Sequence, residues 1–171
     1  MKAHGALLIA VLFGLVAGCQ TVARTTPPEA TATLPRPETA VTDAAGVLSP
    51  EDRASLEADL ASIRKRGLAG VIIYIAPALP PGADMEELTL RSANAWGLGR
   101  RGRDDGLAIF VFIVDRKVRI EVGRGLEKAV SDEAAVHVIS DQLAPAFRAL
   151  AYGEGLRDAV SALTGLLEKA R

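Results

Sequence analysis

The sequence predicts an α/β domain, a small mixed sheet that contains one antiparallel hairpin and carries helices on both faces. Three observations predict it. Leu107 to Val114 is an unbroken apolar run, as expected of a central strand covered on both sides. Directly after it, Val118, Ile120 and Val122 alternate with Arg119 and Glu121, the period of a half-exposed strand. Asp115-Arg116 between the two can turn the chain back. The flanking segments carry apolar residues at helical spacing, in the order α, β, α, β, β, α, α.

Each element has its own signals. Ser49-Pro50-Glu51-Asp52 opens a helix, with a capping hydroxyl, a proline suited to the first turn and two acids at the positive end. Leu56, Leu60 and Ile63 form its apolar face, Lys65 and Arg66 occupy the last turn, and Gly67 ends it. Val71 to Ile75 is a short β-branched strand, and Pro77 to Gly82 is loop. Asp84 to about Trp96 reads as a second helix, with Met85, Leu88, Ala95 and Trp96 near one face. After the hairpin, Asp132-Glu133 begin a third helix carrying Ala135, Val138, Ile139 and Leu143, which Pro145 kinks or ends. A last helix runs from about Glu154 to Leu167.

The start of the chain reads as an address. Met1-Lys2 begin a basic region, and Ala6 to Ala17 is apolar or small, too short for a membrane span of about 20 residues. The segment closes on Leu15-Val16-Ala17-Gly18-Cys19, which resembles a bacterial lipobox. Residues 1–18 are then expected to be a cleaved lipoprotein signal peptide, and Cys19, the only cysteine, the lipidation site. Acyl chains at Cys19, palmitate among them, anchor stably. Gln20 in place of Asp after the cysteine resembles an outer-membrane address, with the domain facing the periplasm. From Gln20 to Ala40 the chain holds six Thr, four Pro and four Ala, so residues 19–40 read as lipidated cysteine and semi-rigid linker. The stretch just before Val41 is the part expected to pack on the domain, which spans 41–171.

Composition excludes several functions. Of 171 residues, 20 are Lys or Arg against 21 Asp or Glu, so the basic face that nucleic-acid binding needs is not indicated. One cysteine allows neither an intrachain disulfide nor a thiolate zinc cluster. After loss of the leader His137 is the only histidine, and between Val136 and Val138 on a helix it reads as a core or boundary residue. No nucleophile elbow is present, and Gly123 to Lys128 lacks P-loop spacing. No organic cofactor motif remains.

What remains is acidic loops. With Asp115-Arg116 as a two-residue turn, Val114 would face Lys117, Arg124 would face Leu107, and Gly125 would face Gly106. The Asp104-Asp105 loop and the Gly123 to Glu127 loop would then share one end of the sheet, with Asp132 close behind. Carboxylates beside glycine-rich backbone, without imidazole or thiolate, suit a hard cation, Ca²⁺ before Zn²⁺. The bland alternative is a solvated acidic loop end with Asp132 capping a helix. Arg101 and Arg103 in the same loop could hold a phosphate beside a metal, against the plainer reading that they pair with the neighbouring acids.

Four ordered motifs then carry a resemblance. Val41-Thr-Asp43-Ala-Ala-Gly-Val-Leu48-Ser-Pro, Asn94-Ala-Trp96-Gly-Leu-Gly99-Arg-Arg-Gly-Arg-Asp104-Asp-Gly106, Arg116-Lys-Val-Arg119-Ile-Glu121-Val-Gly123-Arg-Gly125-Leu-Glu127, and Pro145-Ala-Phe147 with Tyr152-Gly-Glu-Gly155 are similar to the TPM domain family, from Val41 to about Leu167. The resemblance implies an α/β/α sandwich. It also implies a Ca²⁺-binding carboxylate cluster in some members, and it adds Asp43 to the site. The metal set is then Asp43, Asp104, Asp105, Asp132 and Glu127; the position of Asp105 is often Asn in the family. Many bacterial members end in a transmembrane helix and a glycine-rich tail, which this sequence lacks up to Arg171.

Three functions are expected in turn. The first is a Ca²⁺-binding interaction module, supporting assembly or quality control of membrane complexes with an unknown protein partner in the envelope. The second is a metal-dependent acid phosphatase, which the resemblance implies. The third is a structural lipoprotein domain without an ion site.

Overall fold

The computed structural model describes residues 33–171; the expected signal peptide and lipidated Cys19 lie outside the described residues. A four-stranded sheet has the order β1 (Val41–Asp43), β2 (Gly70–Ala76), β3 (Gly106–Phe112), β4 (Lys117–Val122). The first three strands are parallel and β4 is antiparallel to β3. The mixed sheet is as expected, but β1 was not. Three residues are too few to display a period, and parallel pairing leaves no local turn signal.

Helix α1 (Pro50–Lys65) connects β1 to β2, and α2 (Met85–Trp96) connects β2 to β3. Ser49 caps α1 by accepting the Asp52 N–H, and the chain leaves it through Gly67 at φ +68°. Strand alternation sorts the core into two layers. Val71, Ile73 and Ile75 join Leu107, Ile109 and Val111 beneath α1 and the last helix, α5 (Tyr152–Lys169). Tyr74, Ala76, Ala108, Phe110 and Phe112 face Leu88 and Trp96 of α2 on the other side. All seven residues of β3 are buried, as a strand covered on both faces must be. Both crossovers step the same way across the sheet, yet α1 and α2 lie on opposite faces. The two connections are therefore of opposite hand, and one departs from the right-handed rule.

The hairpin register differs from the expectation by two residues. Phe112 pairs with Lys117 and Leu107 with Val122, so the turn takes four residues, Ile113 to Arg116. Two contacts draw the chain off the ladder. The Val114 N–H donates to the Pro77 carbonyl, and the Asp115 carboxylate accepts the Leu79 N–H. A shift of two preserves which side chains face which layer.

After a 3₁₀ turn at Arg124–Leu126 comes α3 (Asp132–Val138), then α4 (Ala144–Arg148). The two are joined by a π-segment, Ile139–Leu143, so the helix does not end at Pro145 and the regular α pattern is instead interrupted in the turn before it. Proline offers no N–H, and the wider turn, with the Ala144 N–H reaching Ile139 O, absorbs the mismatch. His137 is exposed, against the core or boundary expectation, because Ala135 and Val138 take the inward stripe. Ala95 likewise points outward, since Leu88, Ser92 and Trp96 set the phase of α2.

Part of the expected linker is docked. Leu34 is 7% exposed and packs in the aromatic layer. Its N–H donates to Ser92 Oγ at 2.9 Å, and its carbonyl accepts from Trp96 Nε1 at 3.3 Å. No helix among the described residues is long and apolar enough to cross a membrane.

Candidate functional site

The loop between α2 and β3 is built around Asp105. Gly97, left-handed at φ +64°, ends α2, and the chain turns through Arg100 to Asp104. Asp105 is 3% exposed. Its Oδ1 accepts the Arg100 N–H at 2.6 Å, and its Oδ2 meets Arg100 Nε at 2.7 Å and Arg103 Nε at 3.2 Å. Burial alone would push this carboxyl up. Hydrogen bonds from Arg100 and the charges of Arg100 and Arg103 outweigh it, and hold the pKa below the usual carboxylate value. Arg100 also donates to the Gly67 carbonyl, and the Asp105 carbonyl accepts the Gly70 N–H. The loop is thereby clamped to the start of β2.

The other half of this sheet end is the segment after β4. The Gly123 N–H donates to Gly106 O at 2.7 Å, and the Gly125 N–H to Asp104 O at 3.1 Å. Only glycine allows this approach. A Cβ on Gly123 would lie 2.2 Å from Asp104 O, and one on Gly125 would lie 1.9 Å from Arg103 O. The two loops do share one end of the sheet, as expected, although the pairing that brings them there is shifted by two.

The five carboxylates of the expected metal set are placed differently from one another. Asp104, at φ +49°, and Glu127 are exposed and border one cleft of about 520 Å³ between α2 and β4. Asp105 has its oxygens committed to the two arginines. Asp132 sits in the first turn of α3, beside the Ser131 cap. Asp43 lies level with Ile75, whereas β3 begins level with Gly70. Five residues of strand separate those levels, about 17 Å. Both Asp43 oxygens accept backbone N–H groups, from Gly46 and Leu48, at 2.8 Å each. Asp43 therefore shapes the loop into α1 at the opposite sheet end. Among the described residues, no three His, Cys, Asp or Glu side chains group as a metal-binding set. A preformed Ca²⁺ cage, with its six to eight oxygens, does not fit these positions.

The cleft adds residues that the sequence did not nominate. Leu90, Ala93, Asn94 and Leu98 form the α2 wall; Glu121, Val122 and Arg124 form the other. Glu121 Oε1 accepts from Thr89 Oγ1 at 2.8 Å and from Arg119 Nε at 3.0 Å. Glu121 was visible only as the polar half of an alternating strand. Its place under α2 follows from which sheet face that helix covers, and no short-range pattern states that. Of the two expected phosphate clamps, Arg103 is engaged with Asp105, and Arg101 is exposed.

Comparison with known proteins agrees with this architecture. The TPM domain family model matches residues 41–166. The solution structure of the N-terminal domain of a P. gingivalis protein is 32% identical, covering 75% of this chain and 82% of that one at a TM-score of 0.69. The N-terminal domain of a Corynebacterium glutamicum protein is 17% identical, covering 83% and 89% at a TM-score of 0.55, a likeness of fold. No curated protein matches the chain.

Proposed function

The chain belongs to the TPM domain family, and from that premise we propose that it is a membrane-tethered binding module which engages a protein partner through the cleft between α2 and β4. One observation carries this reading. The cleft sets the apolar side chains of Leu90, Ala93, Leu98 and Val122 beside the carboxylates of Asp104, Glu121 and Glu127. Such walls suit a partner segment that brings an apolar residue and a basic one. Lipidation at Cys19 would hold the module in the envelope, facing the periplasm. Ca²⁺ at this cleft would find Asp104 and Glu127 as side-chain donors, and water would complete its shell. It would therefore bind weakly and bridge a partner instead of building the fold.

Catalysis receives less support. Asp105, the buried member of the acidic pair, is held by two arginines and faces no open space for a substrate. The exposed His137 on α3 is not among the residues of the cleft.

A photo-crosslinking residue at Leu90, 52% exposed on the cleft wall, tests the proposal in the membrane-bound full chain. The same residue at Val114, 74% exposed in the hairpin turn, is the control. A discrete adduct from position 90, absent at 114 and lost in Asp104→Lys, is expected. Adducts from both positions, or from neither, would overturn the reading.

A further inference from the structure

The sheet end that carries the cleft also carries a second, chemically opposite groove. Arg36, Arg64 and Arg100 line it together with Trp96, and no carboxylate does. A fourth guanidinium stands close by. A Cβ on Gly67 would lie 3.3 Å from Arg100 Nη1 and 3.9 Å from Arg171 Nη2. Helices α1, α2 and α5 all end here. Their C-termini account for some of these cations, each supplying about half a negative charge. Glu168 is taken by Arg66 and Asp105 by Arg100. Arg36 and Arg64 enter no ion pair among the described residues. The opposite end gathers the acids of the helix starts, Glu51 and Asp52 in α1 and Glu86 and Glu87 in α2. Although the net charge is close to neutral, this groove collects arginines on one face, beside the acidic cleft at the same sheet end.

The course of the chain brings the tether out beside this groove. Leu34 is pinned to Trp96, and Arg36 lines the groove. The segment leading back toward Cys19 therefore leaves the domain beside its basic groove. Fourteen residue steps lead from Cys19 to Thr33, about 43 Å at about 3.1 Å per step. We propose that the arginine groove seats on the anionic phospholipid surface of the membrane that anchors the chain, so that the domain lies oriented on the bilayer. This rests on the lipid-anchor reading of Cys19. Guanidiniums recognise lipid phosphate by paired hydrogen bonds, and a polybasic patch adds to an acyl anchor.

Trp96, the only tryptophan, lines the groove and reports its distance from the bilayer. The full chain is mixed with vesicles of phosphatidylcholine alone, and with vesicles that also contain phosphatidylglycerol, both doped with dansyl-headgroup lipid. Flotation with the neutral vesicles tests the anchor; energy transfer from Trp96 tests the groove. The expected result is flotation with both and strong transfer only on the anionic vesicles. Added salt and the Arg36→Gln/Arg64→Gln variant should abolish the transfer, with surface association weakened about fivefold per charge. Flotation with anionic vesicles alone, lost in the variant, would uphold the groove and refute the anchor. Equal transfer on both vesicles, transfer unchanged in the variant, or flotation with neither would overturn the proposal.

Discussion

Asp105 shows how far one residue's role depends on its neighbours. In the sequence it is half of an acidic pair; in the fold it is a buried strut whose oxygens accept from Arg100 and form an ion pair with Arg103. Since its folded pKa lies below the unfolded value of about 3.9, the stability it contributes is present above that pH and is lost as pH falls through the folded value. Asp105→Asn is expected to cost about 1–3 kcal/mol at neutral pH, tempered by the half-exposed Arg100. The gap in Tm between the variant and the parent should narrow below about pH 4. A constant gap across that range, in thermal unfolding followed by circular dichroism, would count against a role through charge. Asp43 offers the same lesson. Its nomination came from a motif, and only the register of β1 shows that it caps a loop at the other end of the sheet.

Among the elements, those with dense local signals were legible. The Ser49 cap, the Gly67 exit and the apolar face of α1 all stand where the sequence places them. The hairpin register was not, because the contacts that set the turn come from Pro77 and Leu79, far along the chain. The docked stretch before β1 is the other addition. Residues 33–40 precede the family match, yet Leu34 completes the Tyr74, Trp96 and Phe110 layer, whose ring centroids lie 5.3–6.3 Å apart. Leu34→Ala should cost about 2 kcal/mol and shift Trp96 emission to the red before global unfolding. Unchanged stability and emission would mean that this stretch is not held by its leucine.

At the scale of the whole molecule, the family and the layered architecture were legible from four ordered motifs, and the site only in part. The sequence brought the Asp104 and Gly123 loops together, correctly. The separation of the carboxylates, and the two grooves of opposite sign at one sheet end, arise from strand order and helix placement, which are non-local. In the proposed reading, the acidic cleft takes a partner while the arginine groove faces an anionic surface. The proposed binding role requires no turnover. Phosphate release from p-nitrophenyl phosphate by the purified full chain, with Ca²⁺, with Mg²⁺ and with chelator, tests that most directly beside folded Asp104→Asn. No release above buffer is expected under any condition. Metal-dependent release by the parent chain, lost in Asp104→Asn with the fold intact, would contradict the proposed role and make the cleft an active site.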